Sequence, residues 1–176
     1  MDELGQTSLD DYGPFDGINE RPPAPVDWNL LDADNAEIEW RDLDAWVTWL
    51  KTTFGLPPAV VPPYWHRHDE LIWELSALHT HFLACHDRDA SPSAPNMWMR
   101  DFADTRHRLR DWVSICGTRL DRDRPTRQTT WPGETETRTA GEVEIHDRSA
   151  DFEEFVRADV LRRRRIQHLV TTDWST

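Results

Sequence analysis

The chain has 176 residues with a formal net charge of −13, 38% hydrophobic and 30% charged residues, which leaves room for one ordinary domain with polar extensions. It has no run of 18 apolar residues, so no membrane span is expected, and it opens Met1-Asp2-Glu3 without the basic and apolar stretches of a secretory signal. A cytoplasmic protein is expected, with Cys85 and Cys116 as reduced core thiols, since both fall in helical apolar patterns.

The acidity is local. Residues 1–40 carry eleven acids and one base, whereas residues 41–118 carry ten acids and eight bases, and residues 119–176 twelve acids and eleven bases. Lys51 is the sole lysine among twenty basic residues, a bias that fits a GC-rich coding sequence. Ten tryptophans suit a small core built from large rings.

In chain order, residues 1–38 hold scattered glycines, prolines and acids without sustained periodicity, and read as an acidic disordered tail. Trp28, Leu30 and Leu31 form an apolar island there, which either folds back on the domain or docks on a partner.

A bundle is expected over residues 39–118. Its first helix, residues 40–54, carries Leu43, Trp46, Val47, Leu50 and Phe54 on one face and stops at Gly55. Prolines between 57 and 63 then make a stiff connector. The second helix, residues 65–86, carries Leu71, Ile72, Leu75, Leu78, Phe82 and Cys85. The third begins after Ser93, taken as its N-cap, and presents Trp98, Phe102, Thr105, Leu109, Trp112, Val113 and Cys116. Three single-striped helices with short connectors predict an all-α fold, an up-down-up bundle.

Residues 119–148 read as a polar linker with a weak hairpin conceivable around Ala140-Gly141. A C-terminal helix is expected over 149–172 from an N-cap at Ser149. Phe152, Val156, Ile166 and Val170 share a face that Asp159 and Arg163 interrupt.

Chemistry is sparse in the sequence. His66-Arg-His68, His79-Thr-His81 and the His81/Cys85 pair invite a zinc reading, yet no Cys-x-x-Cys or His-Glu-x-x-His spacing accompanies them. No nucleophile elbow or glycine-rich phosphate loop occurs, so no catalytic residue, metal or cofactor is assigned. Two features remain for partners. Trp49 and Trp73 project away from their helices' apolar stripes and, with Trp28, are candidate interface anchors. Arg162, Arg163, Arg164 and Arg165 form a basic run for nucleic-acid phosphates, for an acidic partner, or for the chain's own acidic tail. The oligomeric state is left open.

The stretch 40–112 resembles a family of helical actinobacterial proteins, without assigned activity, associated with conjugative or integrative elements and phages. The resemblance rests on Leu43-Asp-Ala-Trp-Val-Thr-Trp-Leu50, Val60-Val-Pro-Pro-Tyr-Trp-His-Arg-His68, Glu74-Leu-Ser-Ala-Leu78, and Ser93-Ala-Pro leading into Asp101-Phe-Ala-Asp-Thr-Arg106. Where members carry a cysteine before the matched tryptophan, this chain has Tyr64 before Trp65, which argues against a metal role there. The resemblance implies a setting in mobile DNA. The resulting expectation is a non-enzymatic accessory or adaptor protein acting through protein contacts, with a nucleic-acid-associated protein using the arginine-rich helix as the alternative.

Overall fold

The computed structural model describes residues 23–126, 129–135 and 141–173, with side chains described as far as Leu169. The fold is all-α, built on four helices with a minimal two-stranded sheet.

Helix α1 spans Ala33–Phe54. It starts seven residues before the expected position because Asp32 caps it, accepting from the Asn35 amide at 2.8 Å. Ala33 and Ala36 extend its buried face toward the N-terminus. Gly55 ends it in the left-handed region at φ 58°, donating its amide to the Lys51 carbonyl.

The proline connector is part of the core: Val60 and Val61 are buried under it. A 3-10 turn, Trp65–Arg67, leads into α2, Asp69–Cys85. Helix α3 spans Ala94–Ile115 and buries Trp98, Phe102, Thr105 and Leu109. Ser93 stands at its N-cap position but does not cap it, because its hydroxyl bonds Ser91 instead, at 3.0 Å. Trp112, expected on the buried stripe, lies at its exposed upper end.

Strands β1 (Arg122–Asp123) and β2 (Val143–Glu144) pair antiparallel, Arg122 opposite Glu144 and Asp123 opposite Val143. The partner of Val143 thus lies some twenty residues upstream, not across a tight turn at Ala140-Gly141, and Ala140 falls outside the described residues.

Helix α4, Arg148–Asp173, is capped by Asp147, whose carboxylate accepts from the Ser149 and Ala150 amides, so Ser149 already sits in its first turn. It buries Phe152, Val156 and Val160 in the same core as α1 and α2, whereas Ile166 is exposed. Its polar contacts to α1 run in opposite order along the two chains: Arg148 to Asp44, Glu153 to Arg41, Asp159 to Trp40, and Gln167 to Ala33. The pair is antiparallel. Helix α3 packs along α2 on the far side, so α4, α1, α2 and α3 follow one another across the domain.

Two aromatic clusters occupy this core. One joins Trp28, Trp40, Trp65, Phe152 and Phe155, with Trp28 and Trp40 4.3 Å apart between centroids. The other joins Trp46, Phe82, Trp98, Phe102 and Phe54, with His79 stacked on Trp46 at 4.8 Å. Among the described residues no helix is long and apolar enough to cross a membrane.

Candidate functional site

Residues 23–32 lie against the domain as an ordered arm, which corrects the reading of 1–38 as one loose tail; residues 1–22 fall outside the described residues. Trp28 is buried against Trp40, and Arg163 holds the arm from α4. The guanidinium donates to the Leu31 carbonyl at 2.7 Å, to the Trp28 carbonyl at 2.9 Å, and to Asp159 at 2.7 Å. Asp159 also accepts from the Trp40 indole at 3.0 Å and from Arg162. Burial pushes the Asp159 carboxyl up, but hydrogen bonds from Trp40, Arg163 and Arg162 outweigh it and hold the group below the usual aspartate value. The two residues that seemed to interrupt the α4 stripe are therefore its inward-facing polar clasp.

Beside this clasp an open cleft of about 460 Å³ lies between the arm, α2 and α4. Trp28 and Trp40 line its buried part, Asp69, Ile72 and Trp73 come from α2, and Phe155, Ala158 and Arg162 from α4. Trp73 is 40% exposed and stands at the rim. Four of the seven residues singled out from sequence thus converge: Trp28, Trp73, Arg162 and Arg163 line the same cleft.

The other three lie elsewhere. Trp49 is half-buried in the second aromatic cluster, 5.0 Å from Phe82 and 6.0 Å from Phe54, so it does not stand clear as an anchor. Arg164 reaches Asp34 at 3.2 Å, and Arg165 forms no ion pair among the described residues. The arginine run is thereby divided. Arg163 serves the clasp, Arg162 shares Asp159, and Arg164 touches an acid of the chain's own N-terminal region.

The histidine motifs are also accounted for. The buried His66 imidazole meets Asp151 at 2.9 Å, and Arg67 meets the same carboxylate, joining the 3-10 turn to α4. Burial drives His66 down to about 4 despite Asp151, and burial does the same to His79. His68 lies between Asp123 at 2.8 Å and Thr126 at 2.9 Å. The Thr126 hydroxyl donates onward to Glu70 at 2.5 Å. These bonds join the 118–126 segment to the start of α2. His81 contacts Asp101 at 3.0 Å and the Cys85 sulfur at 3.6 Å. Among the described residues no group of three His, Cys, Asp or Glu side chains is arranged to hold a metal ion.

Sequence reasoning missed Asp159, Phe155, Ala158, Asp69 and Ile72 as cleft residues. Asp159 and Arg163, four apart at buried register positions of a helix, carried the available signal: charges there require partners. No family model, curated protein or solved structure matches the chain.

Proposed function

We propose that the protein is a non-enzymatic cytoplasmic adaptor of a mobile genetic element, working through protein contacts at the cleft between the arm, α2 and α4. One observation carries this reading: an indole exposed at the rim of an aromatic-lined cleft, beside a guanidinium that is itself 60% exposed. Trp and Arg are the side chains most often found as binding anchors. The setting in mobile DNA rests on the sequence resemblance alone.

The alternative, phosphate contact through the arginine helix, draws on five arginines against one aspartate between residues 157 and 169. The internal use of Arg163, and the sharing of Arg162 and Arg164 with carboxylates, favour the adaptor. A photo-crosslinking residue at position 73, compared with one at the exposed Met99 on α3, tests it in cells carrying the element. The adaptor reading expects a discrete protein adduct from position 73 alone. Equal labelling from both positions, or none from 73, overturns it.

A further inference from the structure

The exposed face of α4 continues beyond the cleft. Arg162, Arg165, Ile166 and Leu169 fall at spacings i, i+3, i+4 and i+7, so they form one surface stripe, with Ala158 one turn before it. Ile166 is 49% and Leu169 68% exposed, and both follow directly from the cleft rim at Arg162. From Ala158 to Leu169 the stripe runs roughly 16 Å at 1.5 Å per residue. Large aliphatic side chains standing together in water mark a contact surface.

Charge says what covers it. The protein carries −13 overall, yet residues 157–169 hold a local charge of +4, five arginines to one aspartate. That aspartate, Asp159, faces inward and is consumed by the clasp. The outward charges on the stripe, Arg162 and Arg165, are therefore positive, and Arg165 has no carboxylate partner among the described residues. A surface on which two guanidinium groups adjoin two exposed aliphatic side chains complements a segment with an apolar face edged by carboxylates.

We infer that this stripe, together with the Trp73 rim of the cleft, takes an acidic amphipathic helix of a partner protein, an inference that rests on the adaptor reading. The partner's aliphatic or aromatic side chains lie over Ile166 and Leu169 and enter the cleft beside Trp73. Its carboxylates meet Arg162 and Arg165. Contacts of this kind speed encounter and set orientation, while the apolar groups hold the complex.

Selection of a random phage-displayed library of peptides of about 16 residues, long enough to cover the stripe as a helix, on the full chain tests this. The expected consensus carries Asp or Glu between large apolar residues at helical spacing. A labelled consensus peptide should then bind with an affinity that falls with added salt. Arg165→Glu and Ile166→Asp, both at exposed positions, should each weaken it by about tenfold or more, with helix content and thermal midpoint unchanged. A basic or proline-rich consensus, no enrichment, or binding indifferent to both substitutions overturns the inference. So does a gel shift in which a DNA duplex is bound by the wild type and released by Arg165→Glu while no peptide competes. The crosslinking result at position 73 separates the two failures: a protein adduct there with a non-acidic consensus removes this inference and leaves the adaptor reading standing.

Discussion

Removing the Asp159 carboxylate is the sharpest test of how the arm is held. Asp159 and Arg163 are each only 10% exposed at the side chain and 2.7 Å apart, so their charges lie largely out of water. Asp159→Ala leaves the guanidinium without its counter-charge and the Trp40 indole without an acceptor. Breaking a buried pair from one side costs about 3–5 kcal/mol. The low end, about 3 kcal/mol, applies because Arg163 keeps the Trp28 and Leu31 carbonyls. Arg163→Ala frees those carbonyls and leaves Asp159 with Trp40 and Arg162, which predicts a smaller loss of about 2 kcal/mol. The double variant removes both unpaired groups at once, so it should cost less than the two single losses together, with a coupling of about 1.5 kcal/mol or more. Urea unfolding followed by tryptophan emission measures all four proteins, and amide exchange in residues 28–33 reports the arm itself. Single losses under about 0.5 kcal/mol, or additivity within that margin, would refute the clasp.

Three further outcomes follow from the core. His66 and His79 are held neutral near 4, against 6.5 when free, so the unfolded chain binds more protons between those pH values. Stability is full above the free value and falls on acidification, by up to about 2 kcal/mol per histidine at pH 5; a urea midpoint that is flat from pH 7 to 5 contradicts this, and His79→Phe, which keeps a ring on Trp46, should remove about half the slope. Tyr64→Phe deletes a hydroxyl donating to the Leu120 and Ile145 carbonyls, both at 3.1 Å, and should cost about 1–3 kcal/mol with faster amide exchange centred on β1 and β2. Gly55→Ala meets no atom within 4 Å but is forced to φ 58°, so a loss of about 1–2 kcal/mol is expected by thermal unfolding, from backbone strain alone.

The helices were legible because their apolar positions repeat. Leu43, Trp46, Val47 and Leu50 are all fully buried, as are Leu71 and Leu75 on α2. The start of α1 was not legible, because Ala33 and Ala36 are small enough to pack without the signature of a large apolar stripe, and the acids around them looked like tail. Helix α4 misled in the opposite direction. Counting Asp159 and Arg163 as interruptions pointed to Ile166 as the continuation of the buried stripe, whereas Val160 is the buried residue and Ile166 faces out. A polar pair can occupy a core register once each charge is satisfied, and here the partners beyond the helix, Trp40 for Asp159 and the Trp28 and Leu31 carbonyls for Arg163, come from segments far away in sequence. The cleft was legible only in pieces. Trp28, Trp73 and the arginine run each drew notice, but they lie on an arm and two helices separated in sequence, and periodicity within one element carries no information about which elements meet.

The arginine run shows why such a feature resists a single reading. At about 100° per residue, four consecutive side chains leave a helix in four directions, and each meets a different environment. Arg163 points inward and fixes the arm; Arg162 borders the cleft; Arg164 reaches Asp34; Arg165 faces outward. Replacing all four together would therefore confound two effects, because loss of Arg163 loosens the arm that lines the cleft and would weaken binding of any partner, acidic or not. Position by position they separate. Arg163→Ala should lower stability and expose the arm, while Arg165→Glu should leave the fold intact and act only on a bound partner. If Arg165→Glu were as destabilising as Arg163→Ala, Arg165 would have a structural role of its own, and the division of the run by azimuth would fail.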